Sequence, residues 1–183
     1  MTRIQEFKAR ISAYAGGELL RKSALNIRDG AGVIEGILSS GKYRRVLEIG
    51  TYRGVTAAYM ASFVESVDTV DLKHGKLERG YQIFDRARLW RALGTDNVTL
   101  HLVASNEEKE ALIKSLKFDF AFVDGDHSYE GVKDDFRLVS RCGAVLFHDC
   151  APGSDVARFV GTLPIEQVTI VDLFAFWRNE CRA

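Results

Sequence analysis

Two apolar runs in this chain end abruptly in coordinating side chains. "FDFAFVDGDHSYEGVKDDF" passes from buried-strand residues into Asp124, Asp126 and His127, and "GAVLFHDC" does the same at His148 and Asp149. A strand that only has to stop can stop on glycine or serine. Carboxylates and imidazoles gathered at strand ends exchange protons near neutral pH or hold cations. Clustered carboxylates also repel one another and push a pKa upward, a cost that a shared cation removes. For His148-Asp149 the plainer alternative is a polar pair that caps the next helix.

A third run, "VLEIGTYRG", has the form Glu48-x-Gly50-x-x-x-Gly54 with Thr51 and Tyr52 inside the turn. Glycines between a strand and a helix permit a tight turn and close approach of the backbone to a ligand. The full dinucleotide fingerprint is missing, because Tyr52 stands where its second glycine belongs. Glu48 is poorly placed for a pyrophosphate and suits a ligand carrying positive charge or an ammonium group. Asp71, followed by Leu72, ends the next apolar run. A carboxylate there accepts two hydrogen bonds from ribose hydroxyls. Ser105, in "LVASNEE", either reaches an adenine edge or caps the helix that begins before Glu107 and Glu108.

These groups meet only if the elements bring them together. "RRVLEIG", "SVDTVDL", "NVTLHLV", "FDFAFVDGD" and "GAVLFHD" read as five short strands, each followed by a helical stretch. Strands alternating with helices predict βαβ units and a parallel sheet covered on both faces. Such a sheet binds ligands beyond the carboxyl ends of its strands. Gly50, Asp71, Ser105, Asp124 and His148-Asp149 then share one rim. Near the end, Val168–Val171 and Phe174–Trp177 are separated only by Asp172 and Leu173. Two residues cannot make a parallel crossover, so this pair must be antiparallel. Before the first strand, residues 1–41 read as helices, with Ile4, Phe7 and Ile11 on one face, and residues 42–183 form the sheet domain.

The bulk numbers bound the partners. The chain has 183 residues, 46% hydrophobic and 27% charged, as a soluble globular domain does. Lys plus Arg equals Asp plus Glu at 25 each, so no global field favours nucleic acid or an anionic membrane. No signal peptide or membrane span is expected. Cys142, Cys150 and Cys181 lack metal-finger spacing and read as reduced thiols of a cytoplasmic protein, packed as small hydrophobes. His74 reads as a surface residue and His101 as a surface or satisfied core residue. Asp134 and Asp135, beside Lys133, read as a solvated helix face, and Trp90 and Trp177 as packing residues.

Taken together, "VLEIGTYRGVTAAYMA", "VDTVDL", "FDFAFVDGDHSYEGVKDDF" and "GAVLFHD" resemble the class I S-adenosylmethionine-dependent methyltransferases. More narrowly they are similar to the metal-dependent small-molecule O-methyltransferase branch, which includes macrolide-sugar and aminocoumarin-sugar enzymes, with catechol-type enzymes more distant. The resemblance spans roughly Arg44 to Trp177. It implies a Rossmann-like α/β fold, a doubly wound, mainly parallel seven-stranded sheet with an antiparallel C-terminal strand. It further implies that Glu48, Gly50, Thr51, Tyr52 and Gly54 hold the methionine end of S-adenosylmethionine, with Asp124 nearby. Asp71 and Leu72 would hold the ribose, and Ser105 would lie near the adenine. In that branch a divalent cation sits at the positions of Asp124, His148 and Asp149, and the position of Asp126 supplies the general base.

Adjacent parallel strands lie about 4.8 Å apart, so groups at their ends can share one ion. Methyl transfer needs an alcohol oxygen in line with the sulfonium methyl and more nucleophilic than in water. A metal acidifies and orients such an oxygen, while Asp126 or His127 takes the proton. His148 departs from an all-oxygen magnesium site and shifts the expectation toward manganese, iron or zinc, or else it stands behind the ligands. The acceptor expected is a small molecule with a hydroxyl, such as a sugar, polyol or catechol-like compound. The N-terminal helices would form a lid or a dimer contact. Two rivals share part of this logic: a nicotinamide-dependent oxidoreductase, disfavoured by Glu48 and the missing glycine, and a non-catalytic cofactor-binding protein.

Overall fold

The computed structural model describes residues 2–15, 23–26, 30–73 and 85–179. Its seven strands are β1 (Arg45–Ile49), β2 (Ser66–Leu72), β3 (Val98–Val103), β4 (Phe120–Val123), β5 (Ala144–Phe147), β6 (Val168–Val171) and β7 (Phe174–Arg178). They lie side by side in the order β3-β2-β1-β4-β5-β7-β6. β1 to β5 pair in parallel, and β7 runs antiparallel to both β5 and β6. The chain winds outward from β1 in one direction to β3, then crosses back to β4. Between β1 and β4 the order reverses, and the loops that follow these strands diverge to leave a crevice.

Side chains alternate across the strands, so each strand feeds two cores. Val46, Phe120, Phe122, Ala144 and Leu146 face one side. There they meet α1 (Arg3–Ala15), α2 (Gly30–Leu38), α3 (Val55–Ala61) and α4 (Arg86–Leu93). Leu47, Ile49, Ala121, Val123, Val145 and Phe147 face the other, under α5 (Asn106–Ser115), α6 (Tyr129–Val139) and α7 (Asp155–Val160). Fully burying one such leucine or phenylalanine contributes about 1.5–3 kcal/mol, so both layers are firmly held. The face expected from Ile4, Phe7 and Ile11 is real: Phe7 and Ile11 are buried, and the Phe7 ring lies 5.0 Å from that of Tyr59 in α3. No helix among the described residues is long and apolar enough to cross a membrane.

Polar local signals set the element ends. Asp85, Ser105, Ser128 and Ser154 each accept a hydrogen bond from a backbone N–H of the first turn of α4, α5, α6 and α7. The Asp172-Leu173 connection is tight because Asp172 adopts φ 52°, a left-handed conformation that aspartate tolerates. His101 is satisfied by Asp68 at 2.7 Å across the β2–β3 pair. Cys142 and Cys150 are buried, and burial pushes the Cys142 thiol up to about 11. His74 and Cys181 lie outside the described residues.

One expectation is corrected. Asp134 is solvated, but Asp135 is fully buried, with Oδ1 2.6 Å from Lys109 Nζ on α5. Consecutive helical residues point about 100° apart, so one can face water while the next faces the neighbouring helix. Burial raises the Asp135 pKa, and Lys109 opposes that shift.

Candidate functional site

Strand register assembles the rim. Ile49 pairs with Val70 and with Val123, and Val123 pairs with Phe147. The next residue of each strand therefore falls in line: Asp71, Gly50, Asp124 and His148. The ladder continues into them, because Gly50 N–H donates to Val70 O, Asp124 N–H to Ile49 O and His148 N–H to Val123 O. The polar residues at the strand ends are thus side by side, on backbone as rigid as the sheet.

The β1–α3 turn is built for close approach. Gly50 has φ 99° and Gly54 φ 71°, both left-handed. A Cβ on Gly50 would stand 2.2 Å from the Asp124 carbonyl oxygen, and one on Gly54 would stand 2.9 Å from the Trp90 ring. Trp90 packs, as expected, and its Nε1–H also donates to Gly54 O at 2.8 Å, tying α4 to the turn. Tyr52 is the strained member, a non-glycine at φ 45°. Its N–H donates to Asp71 Oδ2 at 3.0 Å, and its carbonyl accepts from Arg86 Nε at 2.6 Å. Arg86 Nη2 lies 3.2 Å from the same Asp71 oxygen. Asp71 Oδ1 accepts from Leu72 N–H at 2.9 Å. Arg86 thus pins the turn and the β2 acid together, a role that no sequence pattern announced.

Glu48 is buried beneath this turn. Its Oε2 accepts from the Thr69 hydroxyl, which lies 2.7 Å from the Thr51 hydroxyl. Burial drives its pKa well up, the Thr69 hydrogen bond pulls it down, and the charges of Asp124 and Asp71 add to the rise. A cation placed nearby would reverse that balance. A cleft lined by Ser23, Gly50, Thr51, Tyr52, Arg53, Val55, Thr56 and Asp124 opens on this turn. Ser23 brings the N-terminal segment to its edge.

On the β4–β5 side, Asp124 Oδ1 lies 2.9 Å from His148 Nδ1 and 3.3 Å from His127 Nε2. His127 Nδ1 lies 3.1 Å from Asp149 Oδ2. One ligand atom each from Asp124, His127 and Asp149 falls within 4.8 Å of the others. His148 stands deeper, buried against Phe122 and Phe174, with Nε2 unpartnered. Burial resists ionisation of Asp124, but the hydrogen bonds from the two histidines outweigh it and hold the carboxyl below its usual range. The hydrogen bond to Asp124 raises the His127 pKa. Asp149 adopts φ 56°, and its carbonyl accepts from Ser154 Oγ at the start of α7.

Two residues singled out by sequence stand apart from this cluster. Asp126 is exposed, and its Oδ1 accepts from Ser128 N–H at 3.0 Å, which holds its pKa low. Ser105 caps α5 by accepting from Glu108 N–H, while Glu108 accepts from Ala104 N–H.

The arrangement is a cleft flanked by the acid at the end of β2, a buried acid and a histidine–carboxylate cluster. A family model described as a methyltransferase domain matches residues 47–150, which run from β1 to the end of the cluster. No curated protein sequence matches. Among solved structures, the Bacillus cereus O-methyltransferase in complex with S-adenosylhomocysteine aligns with TM-score 0.64 at 17% identity, over 98% of this chain and 93% of its own. TomG of Streptomyces achromogenes, the O-methyltransferase involved in tomaymycin synthesis, solved with S-adenosylmethionine, gives 0.60 at 17%, over 97% and 99%. The Podospora anserina methyltransferase PaMTH1, bound to S-adenosylhomocysteine, gives 0.61 at 17%, over 96% and 87%. At such identities the likeness establishes the fold.

Proposed function

The chain belongs to the methyltransferase family, and from that premise we propose that it methylates a hydroxyl of a small molecule, with S-adenosylmethionine as donor and a divalent cation as helper. The position of Asp124 carries this reading. Its backbone packs on Gly50, it lines the cleft, and its carboxylate belongs to the His127–Asp149 cluster. Donor site and cluster therefore meet at a single residue.

In this proposal Gly50–Gly54 would hold the methionine end of the cofactor, Asp71 would accept hydrogen bonds from its ribose hydroxyls, and Glu48 would supply a counter-charge to its positive charge. Ser105 lies toward the adenine as the cap of α5. The donor set of one imidazole and two carboxylates fits a divalent cation, with Asp124, His127 and Asp149 as ligands. His148 would orient Asp124 from behind, as a buried imidazole commonly does for a ligating carboxylate. A cation bound there would acidify and orient the acceptor hydroxyl. When bound, S-adenosylmethionine would supply an electrophilic methyl group, its sulfur leaving as a neutral thioether once the methyl passes to the hydroxyl oxygen. With His127 taken up as a ligand, the hydroxyl proton would pass to Asp126, whose exposed carboxylate accepts from Ser128 N–H. The N-terminal helices, between which Ser23 lies in sequence at the cleft's edge, would cover it.

The test is transfer of a labelled methyl group to a panel of sugars, polyols and catechols, with manganese, magnesium or a chelator. Metal-dependent label in an acceptor supports the proposal; binding of donor with no transfer to any hydroxyl favours the non-catalytic alternative.

A further inference from the structure

Arg53 lines the cleft between Tyr52 and Gly54, and the mechanism above leaves it without a task. Its Nε is buried with no hydrogen-bond partner. Its guanidinium lies over the Tyr52 ring, 5.4 Å from the ring centroid, and no described residue forms an ion pair with it. A buried N–H left unmade is costly, and native structures rarely keep one without a use. Stacking on an aromatic face holds the planar fork in place, so little freedom is lost when it meets a ligand.

We propose that Arg53 binds the carboxylate of the cofactor's amino-acid end through its guanidinium. This assignment rests on the methyltransferase reading of the same cleft. The methionine end of S-adenosylmethionine carries an ammonium and a carboxylate on one carbon. The cleft offers groups of both signs, Asp124 and Arg53. The acid takes the ammonium side and Arg53 the carboxylate, which fixes the direction in which the methionine end enters. A guanidinium fork matches a carboxylate in two parallel hydrogen bonds, where a lysine would supply only a point charge. Arg53 is thus a specificity residue: it selects cofactors that carry the carboxylate over decarboxylated ones.

Calorimetric titration of two probes tests this, S-adenosylhomocysteine and its decarboxylated analogue, which differs only by the carboxylate. The wild-type chain should bind the first about 10- to 100-fold more tightly, the range of charge-assisted hydrogen bonds. Arg53→Met should lose that preference while binding the analogue as well as wild type does, which also shows that the variant is folded. Arg53→Lys should keep only part of the preference. Equal affinity of the wild type for both probes overturns the assignment without any variant. So does an Arg53→Met protein that loses both probes equally or retains the full preference. A wild-type chain that binds neither probe overturns the methyltransferase reading, and this assignment with it.

Discussion

The carbonyl oxygen of Asp124 occupies the space that a Cβ on Gly50 would need, 2.2 Å from its ideal position. The β1–α3 turn and the strand that carries Asp124 therefore touch backbone to backbone, and Gly50 at φ 99° is the residue that permits it. Gly50→Ala should cost on the order of 3 kcal/mol from backbone strain and overpacking combined. The check is the urea midpoint at unchanged slope. A loss below about 0.5 kcal/mol, typical of ordinary surface changes, would mean that the contact yields easily.

Glu48 should make stability depend on pH. Its carboxyl titrates well above its ordinary range when folded, chiefly because of burial. A raised folded pKa means that the folded chain holds the proton longer than the unfolded one. The contribution is complete below the unfolded value and is lost as pH rises through the folded value. Without ligand, wild type should therefore lose more stability between pH 5 and 8 than Glu48→Gln does. Thermal unfolding at several pH values checks this, and identical profiles would contradict it. The same variant should bind S-adenosylmethionine more weakly, because its neutral side chain gives the positive cofactor no counter-charge.

The cluster should respond to metal in a graded way. Manganese should raise the melting temperature of wild type and a chelator should reverse the rise. Asp149→Ala and His127→Ala should abolish the effect, because each removes a proposed ligand. His148→Phe should weaken metal binding about 10- to 100-fold without abolishing it, as loss of a group that orients a ligand does. If His148→Phe abolishes the effect and His127→Ala spares it, the two histidines exchange roles. Asp126→Asn should leave metal binding intact and reduce turnover alone.

The buried Lys109–Asp135 pair predicts a reversal. Lys109→Met strands a buried carboxylate and should cost about 3–5 kcal/mol, whereas Lys109→Met with Asp135→Leu should recover most of that loss. Denaturant unfolding of the two variants and wild type decides it. A double variant less stable than the single one would show that Asp135 is held for some other contact.

Much of this was legible in residue order because the central parallel strands, β1, β4 and β5, are buried on both faces. Buried strands read as continuous apolar runs, and their ends are marked by the first polar side chain, as at Asp124 and His148. The C-terminal reversal was legible because two residues between Val171 and Phe174 leave no other connection. Contacts between distant elements were not. Asp135 beside Lys133 reads as a charged surface, and only the packing of α5 against α6 shows it buried. Arg86 comes fifteen residues after Asp71 in an unremarkable helix start, and its hold on Tyr52 and Asp71 exists only in three dimensions. Ser105 illustrates a local rule prevailing: Ser followed by Glu at the third position is a helix start, and the structure uses it as one. The ordering of histidines at the cluster, His127 at the surface and His148 behind Asp124, follows from side-chain direction at two strand ends, which spacing alone does not specify.

Calorimetric titration of S-adenosylmethionine into the purified chain, with and without manganese, tests the central claim most directly. The account predicts micromolar binding to wild type and a loss of at least about tenfold in Asp71→Ala, the worth of a charge-assisted hydrogen bond to ribose. Absence of binding to wild type under every metal condition would contradict it.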